Sequence, residues 1–159
     1  MKTLVLVRHA KADHGGPSLD DFDRPLNHRG KHDASAMAAQ FKKTGVRVDA
    51  LISSPAVRAL STAEDFAMEI NLPIQTDERI YEAGLRDLLA VVHGLDDRHS
   101  SAMLIGHNPG MSELLHYLTG ASCVNLPTAA VVVIELPQES WQNISAGKGV
   151  LKSLSSPKE

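Results

Sequence analysis

Thr3-Leu4-Val5-Leu6-Val7-Arg8-His9-Ala10 is the stretch on which the fold turns. A short apolar run that stops on a cation and an imidazole reads as a strand buried on both faces, with polar groups delivered at its carboxyl end. The same pattern occurs twice more. Asp49–Ser53 (DALIS) leads into Ser54-Pro55, with Arg58 one helical turn on, and Ala102–Gly106 (AMLIG) leads into His107-Asn108. Between these runs the apolar spacing changes from strand to helix. Ala34, Met37, Ala38 and Phe41 mark one face of a helix capped by Asn27 and ended near Thr44 by Gly45. Ala59, Ala63, Phe66, Ala67 and Ile70 mark a second, Gly84–His93 a third, and Met111, Leu114, Leu115 and Leu118 a fourth, closed by Gly120. Ser54-Pro55 and Asn108-Pro109 both read as an N-cap followed by proline at the first helical position.

Ile74–Thr76 and the β-branched Ala129–Leu136 add strands, and Trp141–Ser145 reads as a weaker edge strand. Strands alternating with helices imply a three-layer α/β domain, a mostly parallel sheet with helices on both faces and an antiparallel last pair. We assign residues 1–152 to this single domain and 153–159 to a solvated tail.

Composition narrows the function. Nineteen acidic against sixteen basic residues leave a net charge of −3, which argues against a general nucleic-acid binder. Cys123 is the only cysteine, so no internal disulfide can form, and it reads as a small buried hydrophobe. Met1–Leu6 is too short for a signal peptide, and no run approaches the roughly 20 apolar residues of a membrane span. A cytoplasmic protein is expected. GxSxG, Walker A and GxGxxG patterns are absent, which weakens serine-hydrolase, P-loop and dinucleotide readings.

Eight histidines stand beside six aromatics. In open α/β sheets ligands bind outside the carboxyl ends of the strands. If the three clear strands are parallel, Arg8, His9, Arg58 and His107 arrive at one rim, near the helix amino ends after Ser54 and Asn108. Helix amino ends attract anions, and guanidinium groups grip phosphate oxygens with two parallel hydrogen bonds. The rim therefore reads as a phosphate site holding a neutral imidazole. His28 and His32 lie at i, i+4, but no glutamate between them completes HExxH, so no metal is assigned. His14, His93, His99 and His116 read as surface residues, and Trp141 as a core anchor.

These segments resemble the histidine phosphatase superfamily. Leu6-Val7-Arg8-His9-Ala10 looks like its RHG/RHA signature. Ser53-Ser54-Pro55-Ala56-Val57-Arg58-Ala59-Leu60-Ser61-Thr62-Ala63 is similar to its SSPxxRAxxTA segment, and Gly106-His107-Asn108-Pro109-Gly110 to its second-histidine segment. Asp23-Arg24-Pro25-Leu26 followed by Arg29-Gly30, together with the short length, resembles the SixA-like branch, the protein phosphohistidine phosphatases. The resemblance implies a phosphoglycerate-mutase-like fold and no cofactor. It implies His9 as the nucleophile that becomes phosphorylated, Arg8 and Arg58 on the phosphoryl oxygens, and His107 as a further phosphoryl contact.

The proton donor is less well marked. Glu82 is the candidate acid by position, against the plainer reading of an exposed loop carboxylate. Asp23 is a second candidate, with a salt bridge to Arg24 as its plainer reading. The substrate-binding set is Arg8, Arg58, His107 and Arg24, with Lys11 a weaker addition. The implied substrate is phosphohistidine on a protein, such as a histidine phosphotransfer domain; the sequence leaves the oligomeric state open, a monomer being compatible with it. Little insertion between the core elements suggests an open, shallow site and speaks against a phosphoglycerate mutase. The rival readings are a phosphomonoesterase for small molecules and a non-catalytic phosphate-binding module.

Overall fold

The computed structural model describes residues 1–122 and 125–157. The reading of Cys123 lies outside the described residues. Six strands form one sheet: β1 (Lys2–Arg8), β2 (Ala50–Ser53), β3 (Ile74–Thr76), β4 (Ser101–Gly106), β5 (Val131–Leu136) and β6 (Val150–Ser155). Their order across the sheet is β3-β2-β4-β1-β5-β6. β4 pairs in parallel with β1 on one side and with β2 on the other, while β5 and β6 run antiparallel. The four helices are α1 (His28–Lys43), α2 (Val57–Ile70), α3 (Leu85–His93) and α4 (Gly110–Thr119).

Alternation along each strand divides the core. Leu4 and Leu6 of β1, Ala102 and Leu104 of β4, and Val132 and Ile134 of β5 pack with Leu88 of α3 and Met111 and Leu114 of α4. Val5, Val7, Met103, Ile105, Val131 and Val133 face the other way, onto Met37 and Phe41 of α1 and Phe66 of α2. Strands apolar on both faces are what a helix layer on each side requires. The three-layer α/β architecture expected from the sequence is the one observed.

Two boundaries differ from expectation. Trp141 is fully buried, as a core anchor should be, but Trp141–Asn143 is a 3₁₀ turn and not an edge strand. The Trp141 backbone N–H donates to Asp97 Oδ1 (2.9 Å) and its indole N–H to the His99 carbonyl (2.9 Å), commitments that hold it in a turn. The edge strand comes later, as β6, which takes in Ser153–Ser155 from the segment expected to be tail. Its residues are nearly all exposed, so its serines and lysine gave no apolar alternation.

The first turn of α1 sits against the chain that follows β1. Asn27 Oδ1 accepts the Gly30 N–H (2.8 Å), the expected cap, and the Asn27 N–H donates to the Lys11 carbonyl (3.0 Å). Gly30 lies so close to that carbonyl that a Cβ on it would overlap the Lys11 oxygen. Glycine is required here for close approach, not for backbone freedom.

Candidate active site

β1, β4 and β2 end side by side, so the residues after them share one rim. His9 follows β1, His107 follows β4, and Arg58 lies in the first turn of α2 after β2. The three side chains are buried to nearly the same depth, at 8, 9 and 7% exposure, and Arg8 is half-buried beside them. The two imidazole rings are 5.0 Å apart between centroids.

Each ring is oriented by one hydrogen bond. His9 Nδ1 is 2.7 Å from the Ala10 carbonyl, which can only accept, so Nδ1 carries the hydrogen. In the neutral ring Nε2 is then left with its lone pair. That carbonyl belongs to a fixed residue. The Ala10 N–H donates to Thr62 Oγ1 (3.0 Å), and the Thr62 hydroxyl donates to the Arg58 carbonyl (2.9 Å), tying the turn after β1 to α2. His107 Nε2 lies 2.7 Å from Ser54 Oγ, which also accepts the Ala56 N–H (3.2 Å). The Ser54 hydroxyl hydrogen is satisfied by donation to Nε2, which leaves the hydrogen of the neutral ring on Nδ1. The expected role of Ser54 as helix cap is therefore corrected. Helix α2 begins at Val57 with Ala56 as its cap, and the serine hydroxyl is engaged by His107. Asn108 is displaced in the same way. Pro109 occupies the cap of α4, while Asn108 Oδ1 accepts from Ser112 (3.2 Å from its N–H).

Burial pushes His9 down to about 4 and His107 to about 3. For His9 the guanidinium groups of Arg58, Arg8 and Arg24 add to that effect against the Ala10 hydrogen bond, and for His107 the neighbouring His9 and Arg58 do so. Both rings are neutral at neutral pH. Unfolded histidine takes up its proton near 6.5. Between that value and about 4 the unfolded chain binds more protons, so stability must fall as pH drops through this window. Thermal melts should show a lower Tm at pH 5 than at pH 7.5, with a shallower decline in His107→Ala. Equal pH dependence in the variant would contradict the assignment.

Two buried polar atoms at this rim have no hydrogen-bond partner, Arg8 Nε and His107 Nδ1. Burying a donor without a partner costs about 1–3 kcal/mol, so an acceptor placed between them would be bound. The remaining reach of Arg8 is fixed by Nη1 donating to the Leu126 carbonyl (2.6 Å). An anion is the ligand this arrangement can hold. A groove of about 880 Å³ lies at the opposite strand ends, by Thr3, Asp49 and Ser101. Its cations are already matched, Arg47 to Asp49 (3.3 Å) and Lys152 to Glu135 (3.5 Å), so it offers an anion far less.

The other sequence candidates scatter. Arg24 reaches the site, but its partner is Asp21 (2.9 Å), not Asp23. Its Nε donates to the Asp13 carbonyl (2.6 Å). Glu82 is exposed at a left-handed φ of 54°, and Asp23 and Lys11 are exposed. His93 and His99 are half-buried and not surface residues, with His93 Nε2 on the Ile144 carbonyl at 2.9 Å. No cluster of three metal-ligating side chains occurs among the described residues, and none of their helices is long and apolar enough to cross a membrane. Sequence reasoning missed Asp21 and Tyr81. The Tyr81 ring packs edge-on to His107 at 5.6 Å, and its hydroxyl donates to Asp21 Oδ2 at 2.7 Å.

Fold and rim together define a phosphoryl-handling enzyme. The model of the histidine phosphatase superfamily, branch 1, matches residues 4–88, more than half of the chain, and the chain belongs to this superfamily. It is a phosphatase-type hydrolase of the SixA-like branch. The crystal structure of a candidate phosphohistidine phosphatase SixA from Agrobacterium tumefaciens is similar over 98% of both chains, with a TM-score of 0.86 and 26% identity. An uncharacterised chloroplastic protein of Arabidopsis thaliana is 26% identical over 93% of this chain and 72% of its own. A 2,3-bisphosphoglycerate-dependent phosphoglycerate mutase of Thermoplasma acidophilum is 35% identical over 88 residues, 54% of this chain and 43% of its own.

Proposed function

We propose that the chain is a protein phosphohistidine phosphatase working through a phosphoryl group carried on His9. The observation that supports this best is the pairing of a nucleophile with two buried nitrogens whose hydrogen bonds the protein leaves unmade. The Ala10 carbonyl leaves His9 Nε2 with its lone pair, beside the unpartnered Arg8 Nε and His107 Nδ1. In the first step Nε2 bonds to phosphorus as the bond from phosphorus to the leaving nitrogen breaks, and that nitrogen takes a proton from Glu82 or solvent as it departs. In the second, the oxygen of water bonds to phosphorus and the bond to Nε2 breaks, releasing phosphate, while the proton shed by water returns to Glu82 or solvent. Arg8, Arg58, His107 and Arg24 bind the equatorial oxygens, where a preorganised donor contributes about 3–4 kcal/mol. No step calls for a metal.

The leaving nitrogen of a phosphoramidate takes up a proton more readily than a sugar oxygen, so strong acid assistance is not needed. Glu82, exposed on its loop, gives that modest help. Glu82→Gln should lower turnover of a phosphohistidine-bearing phosphotransfer domain by about threefold, well below the ~10²–10⁴-fold of full acid catalysis. The test compares kcat/KM for such a domain with that for sugar phosphates. A preference for sugar phosphates, with a loss of about 10²-fold in Glu82→Gln, would replace this reading with a small-molecule phosphomonoesterase. Phosphate binding without turnover of either substrate would leave a binding module.

A further inference from the structure

We propose that Asp21 is a positioning residue of the phosphoryl site, holding the Arg58 guanidinium in place while Tyr81 holds the Asp21 carboxylate. Arg58 Nη1 donates to the Asp21 carbonyl at 2.7 Å and Nη2 to Asp21 Oδ2 at 3.1 Å. The outer fork of the guanidinium is thus clamped by the backbone and side chain of one residue. Nε and the remaining Nη hydrogens are left for an anion. The same carboxylate receives the Tyr81 hydroxyl on Oδ2 (2.7 Å) and Arg24 Nη1 on Oδ1 (2.9 Å). One carboxylate therefore joins the 3₁₀ turn Asp21–Asp23, the first turn of α2 and the segment before α3.

These donors hold the Asp21 carboxyl far below the usual carboxylate range, led by the Tyr81 hydroxyl with Arg24 and Arg58 behind it. It stays ionised and cannot act as the proton donor. The side chain is 48% exposed, so its burial contributes little to the fold. What it does contribute is direction. A flexible arginine has many rotamers, and a fork fixed at one end presents its other edge to the phosphoryl oxygens without ordering at the moment of reaction. Tyr81 extends the chain of support to His107, against whose ring it packs. The Phe22 ring, edge-on to Tyr81 at 5.1 Å, closes the outer side.

The inference rests on Arg58 gripping the phosphoryl group, and the test is chosen so that it does not rest on turnover. Orthovanadate, which mimics the pentacoordinate phosphoryl group, is titrated into the full chain by calorimetry. Asp21→Asn should weaken vanadate binding by about 10- to 100-fold, the scale of a misplaced catalytic group, with Tm nearly unchanged. Tyr81→Phe, which keeps the carboxylate and loses its lock, should weaken it by about 3- to 10-fold, the scale of one ordinary net hydrogen bond. In an Arg58→Ala background, Asp21→Asn should cost less than about twofold more, because a residue acting through Arg58 has nothing left to position. Unchanged vanadate affinity in Asp21→Asn, or an equal loss with and without Arg58, overturns the proposal. A wild-type chain that binds vanadate yet turns over no phosphohistidine would overturn the proposed substrate and leave this inference standing.

Discussion

His9→Ala should abolish phosphate release, lowering kcat by at least about 10⁴-fold, as loss of a covalent nucleophile does elsewhere. The residue is reached by construction and not by proximity alone. β1 sets it at the rim, the Ala10 carbonyl fixes the hydrogen on Nδ1, and burial beside three arginines keeps the ring neutral. Each of these makes Nε2 a better nucleophile toward phosphorus. Activity alone would not separate a nucleophile from a binding residue. The decisive measurement is the intermediate. Rapid quenching of the wild-type chain with labelled phosphohistidine substrate should trap label in an acid-labile, base-stable bond on the peptide containing His9. His107→Ala should still trap some label, since it retains the nucleophile. Trapping of label in His9→Ala, or turnover within tenfold of wild type, would sink the mechanism.

Gly30→Ala carries the second large effect, on stability. Alanine normally favours a helix over glycine by about 1 kcal/mol. Here the added methyl would strike the Lys11 carbonyl oxygen, with the Lys11 carbonyl carbon and nitrogen behind it at 2.9 and 3.0 Å. These are backbone atoms, and the neighbouring Ala10 is already held by Thr62. The first turn of α1 has to move away, losing the Asn27 N–H bond to Lys11. A net loss of about 3 kcal/mol is expected, at the upper end for forced overpacking. In a chain of this length that lowers Tm by about 6–12 °C. A Tm within about 2 °C of wild type would refute the close-approach argument.

Much of the site was legible in the sequence for one reason. Candidate site residues placed at strand ends announce themselves, because an apolar run stops abruptly on Arg8-His9 or His107. The three-layer fold was legible for the same reason, since strands buried on both faces have few alternatives. Asp21 was not legible. It is one of four aspartates in the polar segment between Lys11 and Arg24, and its partners lie 37 and 60 residues away. Ser54 was misread because serine before proline has a strong local meaning, and tertiary structure redirected its hydroxyl to a ring 53 residues on. β6 escaped because an exposed edge strand need not be apolar.

The strand order has a consequence for how the enzyme comes into being. β1 and β2, which carry His9 and the approach to Arg58, do not touch each other; β4 lies between them. Until residues 101–106 are in place the first half of the chain has no continuous sheet, and when they arrive they bring His107 with them. The keystone of the architecture thus also delivers the last of the candidate site residues. A ribosome must make about two thirds of the chain before any part of the rim exists, and contacts this distant in sequence close late and slowly. The two imidazoles of the rim therefore come together only once the central strand is seated between β1 and β2.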